Sequence, residues 1–180
     1  MIYLFLAAGF EEIEALCPLD LLRRAGLSVR TVGIGSTEIT GAHGITVKAD
    51  MADSDFSDKA PELVILPGGM PGTTHLDGSP TVHRAIDAAL SSGGRVAAIC
   101  AAPSILGKKG LLRGKRATCF PGFEETLDGA ILCTDGVVTD EPFTTARGMG
   151  VAQEFGLSLV ALMTDEETAS ALRRTIQSDR

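Results

Sequence analysis

Three short stretches of the chain carry residue types with chemical potential. In RVAAICAAPS (95–104), small and β-branched residues run into a single cysteine, Cys100, followed by two alanines and a proline. The pattern reads as a buried strand turning sharply into a helix. Such an elbow exposes the side chain at its apex and aims the following backbone N–H groups at the reacting atom. The start of a helix also favours thiolate over thiol. The bland alternative is a core cysteine, because free cysteines are among the most buried residue types.

A second apolar run, ELVILPGG (62–69), ends in Gly68 and Gly69. Glycines let the backbone approach a substrate closely, and their N–H groups suit an oxyanion, although a Gly-Gly pair also makes ordinary turns. The third stretch, GFEEIEALCP (9–18), sets Glu11, Glu12 and Glu14 at a helix start. Carboxylates are electrostatically favoured there, which accounts for Glu11 and Glu12. Glu14 differs, since Pro18 four residues on cannot donate to its carbonyl. A local kink at that point would turn Glu14 away from a plain surface role. Beside Cys100, an ionised Glu14 would raise the thiol pKa, whereas a protonated Glu14 would donate a hydrogen bond to the thiolate. A raised Glu14 pKa is therefore expected.

The remaining candidates are weaker. Cys17 falls on the apolar face of the first helix and reads as core, and Cys119 and Cys133 fall in short strands without a partner. No pair of cysteines has the CxxC spacing of a redox or zinc motif. His83 lies opposite a Val82/Ile86 stripe and is expected to face solvent, while His75 follows the Gly-Gly loop. No Ser/His/Asp arrangement or metal-ligand spacing stands out. The absence of a G-x-G-x-x-G or P-loop pattern argues against a nucleotide, so no cofactor and no metal are expected.

The elements that must position these residues follow from periodicity. IYLFLA (2–7) is a continuous apolar run, the mark of a strand buried on both faces. A helix follows, with Ile13, Cys17, Leu21 and Ala25 on one face and Gly26 as its C-terminal cap. Strands are predicted over 28–35, 62–69 and 95–99, with a helix over 80–94. Short pieces between 117 and 145 read as hairpins and edge strands, and a helix over 150–163 follows. The last helix begins at TDEE (164–167), in the Thr-x-x-Glu form of a capping box. Alternating strands and helices indicate βαβ units, hence an α/β fold with a mostly parallel sheet covered on both faces. In such sheets ligands bind at the carboxyl ends of the strands, where all three stretches converge. Without a linker or repeat, residues 1–180 read as one domain.

Composition narrows the function classes. The formal net charge of −7 lacks the basic footprint of a nucleic-acid binder. Acidic runs such as DMADSDFSD (50–58) read as solvated loops. MIYLFLAAGF has no basic n-region and runs straight into EEIE, unlike a secretory leader. No apolar run approaches the roughly 20 residues of a membrane span. A cytoplasmic protein with free thiols is expected.

Taken together, GFEEIEALCPLDLLRRAG, LVILPGGMPG, AAICAAPSIL and TTARGMG resemble the ThiJ/PfpI superfamily, in its parkinsonism-associated protein deglycase-like branch. These stretches occur in the family's order from Gly9 to Gly150. The resemblance implies a flavodoxin-like three-layer α/β/α sandwich, a homodimer, an oxidisable nucleophile at Cys100 and a partner glutamate at Glu14. It further implies that Gly68 and Gly69 line the pocket, that Ala101 supplies a second backbone N–H, and that Glu11 is a pocket acid. His43, in GAHGITV, matches a position from which a basic residue reaches the partner subunit's pocket. Two departures matter. Ala101 stands where the protease-like branch has a histidine, which argues against a peptidase. Phe120 stands where vertebrate-type proteins carry a histidine near the pocket, which would leave proton transfer to Glu14 alone.

Two activities fit this reading. One is conversion of small reactive aldehydes such as methylglyoxal to a 2-hydroxy acid without glutathione, or the same chemistry on glycated groups. The other is a redox-sensing stress-response protein or chaperone, in which Cys100 is oxidised to a sulfinate held by Glu14 and backbone N–H groups. An inert subunit with a core cysteine is the third option.

Overall fold

A computed structural model describes residues 1–57 and 59–178. The chain begins with strand β1 (Ile2–Leu6), whose five residues are all buried. Helix α1 (Glu12–Arg24) follows, then β2 (Val29–Gly33), a hairpin of β3 (Glu38–Thr40) and β4 (Thr46–Lys48), and β5 (Met51–Ala52). Strand β6 (Leu63–Leu66) leads through Pro67, Gly68 and Gly69 to helices α2 (Gly72–Asp77) and α3 (Pro80–Ser91). Strand β7 (Arg95–Ile99), helix α4 (Pro103–Lys108), β8 (Arg116–Ala117) and β9 (Ile131–Leu132) come next. The described chain closes with β10 (Val137–Asp140), β11 (Phe143–Ala146), α5 (Ala152–Met163) and α6 (Glu166–Thr175).

Seven strands form the main sheet in the order β10-β11-β7-β6-β1-β2-β5. All neighbours are parallel except β10, which runs antiparallel to β11. Two hydrophobic clusters pack against the two faces of the sheet. One holds Leu4, Leu6, Ile65, Ile99 and Phe155 with the apolar side of α1 and α5, and the other holds Phe5, Leu66, Ile86, Val96 and Ile105 with α3 and α4. This is the expected α/β/α layering: strands with side chains alternating to both faces need helices on both. The chain leaves β1 toward β2 on one side and returns to β6 on the other, so the order reverses at β1/β6. Ligands lie at such a reversal, beyond the carboxyl ends of the strands.

Local chemistry explains the element ends. Gly26 takes φ +77°, and the bonds Gly26 N to Arg23 O (3.0 Å) and Leu27 N to Leu22 O (3.1 Å) close α1. A left-handed residue after a helix needs glycine, as the sequence indicated. Ser79 caps α3, its hydroxyl accepting from Val82 N, with Pro80 in the first turn. The last helix differs from expectation: Asp165, not Thr164, is its N-cap, and its side chain accepts the Thr168 amide at 2.7 Å. The carboxylate is the stronger acceptor, and Thr164 instead back-bonds to Val160 O at 2.7 Å.

Other expectations change more. Ile13 is 50% exposed and departs from the expected face, whereas Leu21 is buried and Cys17 and Ala25 pack half-buried against the core. The buried positions of α1 are Glu12, Glu14, Ala15, Pro18, Leu19, Leu21 and Leu22. α1 packs against both the sheet and α5, and the first turn presents its acids inward. The helix also runs through Pro18, whose Cα faces Gly156 of α5; the orientation of Glu14 therefore comes from its helical position. His83 is half-buried, with Nε2 2.6 Å from Asp77 O. Residues 117–145 contain the hairpin β10–β11, but β8 and β9 pair in parallel, and Cys119 and Cys133 lie just beyond them. The acidic stretch from Asp50 contributes edge strand β5 beside β2, and Asp50 accepts from the Thr31 amide at 2.8 Å and from Arg23 at 2.7 Å. Asp58 of that stretch lies outside the described residues. No helix among them is long and apolar enough to cross a membrane.

Candidate active site

Strand β7 ends at Ile99, and the next residue takes a backbone conformation that L side chains seldom adopt. Cys100 has φ +65°. For a non-glycine residue this strain is of order 1–3 kcal/mol and persists only where the surroundings enforce it. Here they do: the Cys100 amide donates to Ala146 O at 2.8 Å, and its carbonyl accepts the Phe120 amide at 2.8 Å. The thiol is thereby held at the carboxyl edge of the sheet, partly exposed.

Glu14 reaches the same point from α1. It is 1% exposed, and its Oε2 accepts the Gly68 amide at 2.9 Å. The Met149 amide is a further donor to its carboxylate. Gly68 must be glycine, because a Cβ there would stand 2.6 Å from both Cys100 Cβ and Glu14 Oε2. Gly69 takes φ +87°, a conformation that glycine adopts without penalty, and a Cβ on it would run into the Glu11 amide. Backbone N–H groups of Gly69 and Ala101 point at the Cys100 sulfur. The structure thus brings Cys100, Glu14, Gly68, Gly69 and Ala101 together.

The electrostatics of the pair are set mainly by burial. Removal from water pushes Glu14 up to about 7, partly opposed by its hydrogen bond with Cys100, while the charge of Glu11 adds to the rise. Burial likewise pushes the Cys100 thiol up to about 12, and the charge of Glu14 and its hydrogen bond push the same way. The N–H groups of Gly69 and Ala101 pull it down, but by less. The thiolate preference expected from a helix start is therefore outweighed. α4 is a six-residue helix, too short to offset a neighbouring carboxylate and burial. Two groups coupled this closely lose their protons as a unit. A carboxyl near 7 that shares a hydrogen bond with a thiol is well matched to carry that thiol's proton at neutral pH.

Of the other expected residues, Glu11 and Phe120 border this centre, and His43 is held by Glu12. Glu11 caps α1: its carboxylate accepts the Glu14 amide at 2.7 Å, and its own amide donates to Gly68 O at 2.9 Å. Phe120 is 46% exposed and lies against Gly148, a Cβ on which would also come within 3.9 Å of Glu14 Oε1. His43 is tied to Glu12 of its own chain, with Nδ1 2.8 Å from Oε2. Glu12, read from sequence as an ordinary acid at a helix start, is instead 2% exposed. No local signal marks it, because a carboxylate at a helix start already has a sufficient reason to be there. Among the other thiols, Cys119 is buried and Cys17 and Cys133 are half-buried.

Against this geometry, comparison with known proteins gives a consistent result. Residues 1–162 match the DJ-1/PfpI family. The chain is 36% identical over 166 residues to protein DJ-1 homolog B of Arabidopsis thaliana, covering 91% of this chain but 38% of that longer protein. It is 32% identical to the glutathione-independent glyoxalase DJR-1.2 of Caenorhabditis elegans, covering 92% of this chain and 89% of the relative. The crystal structure of Drosophila melanogaster DJ-1beta superposes with a TM-score of 0.93 at 30% identity, over 98% of this chain and 96% of that one.

Proposed function

The chain belongs to the DJ-1/PfpI family, and from that membership and the Cys100 pocket we propose that it is a cysteine-dependent enzyme of reactive carbonyls, turning methylglyoxal into lactate without glutathione. The observation that carries this reading is the contact of a buried carboxyl, pushed up to about 7, with a cysteine whose sulfur faces two backbone N–H groups.

The steps follow from the groups present. Glu14 takes the Cys100 proton as the sulfur adds to the aldehyde carbon, and the Gly69 and Ala101 N–H groups hold the oxygen that gains charge. Glu14 returns its proton to that oxygen, giving a hemithioacetal and a free carboxylate. The carboxylate then takes the hydrogen from the former aldehyde carbon and delivers it to the neighbouring carbon. The two oxygens exchange a proton, leaving a lactoyl thioester on Cys100. Water adds to the acyl carbon, the C–S bond breaks, and lactate leaves as Cys100 recovers its proton. Ala101 after the nucleophile supplies no imidazole, which disfavours peptide hydrolysis. The same addition and hydrolysis on a glycated group would give a deglycase. The relative DJR-1.2 bears the name of a glutathione-independent glyoxalase, which supports the choice of reaction.

The decisive experiment measures lactate from methylglyoxal with wild type, Cys100→Ala and Glu14→Gln side by side. Turnover in wild type and its loss in both variants is expected; equal rates in wild type and Cys100→Ala would end this reading. A second reading, a redox sensor, is favoured by the same two N–H groups, which would hold a sulfinate as well as an oxyanion. Intact mass after mild peroxide tests it, with the added oxygens expected on Cys100 and not on Cys119 or Cys133. We also propose a cytoplasmic homodimer. Ile13 and Ile45, 50% and 54% exposed on neighbouring segments near the pocket, offer apolar surface for a second copy.

A further inference from the structure

Phe120 stands in the open beside the reacting pair. It is 46% exposed, whereas Phe5, Phe10 and Phe155 are wholly buried in the core. The backbone fixes it there: its amide donates to Cys100 O at 2.8 Å, and its carbonyl accepts the Phe123 amide at 3.1 Å. Cys119, one residue before, is buried, so the chain surfaces at the ring. An aromatic side chain left half in water carries apolar surface that a ligand can cover.

Gly148 leaves free the space that the ring faces. A carbon at its missing Cβ position would lie 3.2 Å from Phe120 Cδ2 and 3.9 Å from Glu14 Oε1. The ring and the carboxyl therefore flank a single gap, and a substrate carbon entering it touches both. Met149 follows Gly148; its amide donates to the Glu14 carboxylate, and the residue is 53% exposed. Methionine is flexible and polarizable, which lets it fit irregular apolar surfaces. Neither Phe120 nor Met149 carries a charge.

The order of bond changes decides which part of a substrate meets this gap. In the hemithioacetal the former aldehyde carbon is bonded to the Cys100 sulfur, with its oxygen at the Gly69 and Ala101 N–H groups. The adjoining carbon receives its hydrogen from Glu14 and so lies on the carboxyl side. The substituent on that carbon, a methyl group in methylglyoxal, takes part in no bond change. It extends past Glu14 toward Gly148 and Phe120. This edge comes from the chain after β8 and β11, whereas Ile13 and Ile45 stand on α1 and on the loop between β3 and β4.

We propose that Phe120, with Met149 beside it, sets the specificity of the Cys100 pocket and selects neutral 2-oxoaldehydes whose alkyl chain is longer than the methyl of methylglyoxal. The proposal rests on the carbonyl reading and names its substrate class. The chemistry is unchanged: R–CO–CHO and water give R–CHOH–COO⁻ and a proton, and R stays on the same carbon throughout. What R gains is removal from water against a ring and a thioether. A fully buried methylene is worth about a factor of four in binding. Against a residue that is about half exposed, half of that free energy leaves a factor of about two per methylene. Methyl and pentyl differ by four methylenes, which gives about 16-fold.

The test is the ratio of KM for methylglyoxal to KM for 2-oxoheptanal, its pentyl homologue, in wild type, Phe120→Leu, Phe120→Asn and Cys100→Ala, with the 2-hydroxy acid measured by chromatography. Both KM values come from the same protein, so a partly folded variant does not distort their ratio. Wild type should give a ratio of about 16. Phe120→Leu keeps an apolar side chain and should retain a ratio of that order, while Phe120→Asn should bring the two KM values together. Equal KM values in an active wild type, or a ratio that survives Phe120→Asn, would overturn the proposal and leave the carbonyl reading standing. Equal loss in Phe120→Leu and Phe120→Asn would overturn it too, making the ring a peg for its loop. If wild type is no faster than Cys100→Ala on either aldehyde, the carbonyl reading itself fails and this inference falls with it.

Discussion

Replacing Glu14 with glutamine separates the availability of the nucleophile from the movement of its proton. In the native pocket the thiol stands at about 12, with burial the largest cause and the charge and hydrogen bond of Glu14 next. Glutamine keeps the shape and removes the charge. Burial is the largest cause of the rise from 9.0 to about 12 and persists in the variant, so the share that the glutamine removes is on the order of one pKa unit, or about 1.4 kcal/mol. At pH ~8.5 the thiolate fraction then rises about tenfold, but a less basic thiolate is a weaker nucleophile, with a Brønsted coefficient of about 0.5. The net gain in alkylation is then about threefold. The assay is iodoacetamide labelling from pH 6 to 10, with peptide mapping to follow Cys100 apart from Cys17, Cys119 and Cys133. The same variant should label faster and yet fail to make lactate. If Glu14→Gln labels at the native rate or slower, Glu14 holds its proton in the native pocket and donates it to the thiolate, and repulsion between the two groups is not what raises the thiol.

Three further outcomes follow from the same geometry. Glu14 binds its proton more tightly folded than unfolded, so its contribution to stability is present at low pH and is lost as pH rises from about 4.5 toward 7. Above pH 7 the shift amounts to about 3 kcal/mol against the fold; Glu14→Gln should raise the melting temperature at pH 8 and leave it little changed at pH 4.5. Gly68→Ala places a methyl 2.6 Å from both Cys100 Cβ and Glu14 Oε2, and should cost about 1–3 kcal/mol in denaturant unfolding while abolishing lactate formation. Phe120→His puts an imidazole beside Gly148 at a 46% exposed position; turnover should rise with stability unchanged, and no gain would show that the pocket is not limited by proton transfer.

The sheet was legible because β1, β6 and β7 are buried on both faces, and burial on both faces leaves unbroken apolar runs. Cys100 and Gly68 were legible because each follows such a run directly. Glu12 was not. A carboxylate at a helix start has a sufficient local reason to be there, and only the tertiary contact with the 41–45 loop buries it. Ile13 misled for the complementary reason: an apolar residue inside an apolar rhythm reads as core, yet the turn is rotated to bring two acids inward. Short elements without a period failed as well. The parallel pairing of β8 with β9 joins two-residue strands 15 residues apart in register, Arg116 with Ile131, and no local pattern announces it.

The backbone of Cys100 is fastened to Ala146 on β11 and to Phe120, and its carboxyl neighbour arrives from a helix 54 residues before the glycine that orients it. No short contiguous fragment of the chain can therefore hold the pocket. It forms only when the centre of the sheet closes, an event of high contact order that comes late in folding. Until then Cys100 is an ordinary thiol with none of the carboxylate's influence. The labelling rate of this one residue, followed during refolding, is consequently a clock for assembly of the sheet, one that runs without any substrate.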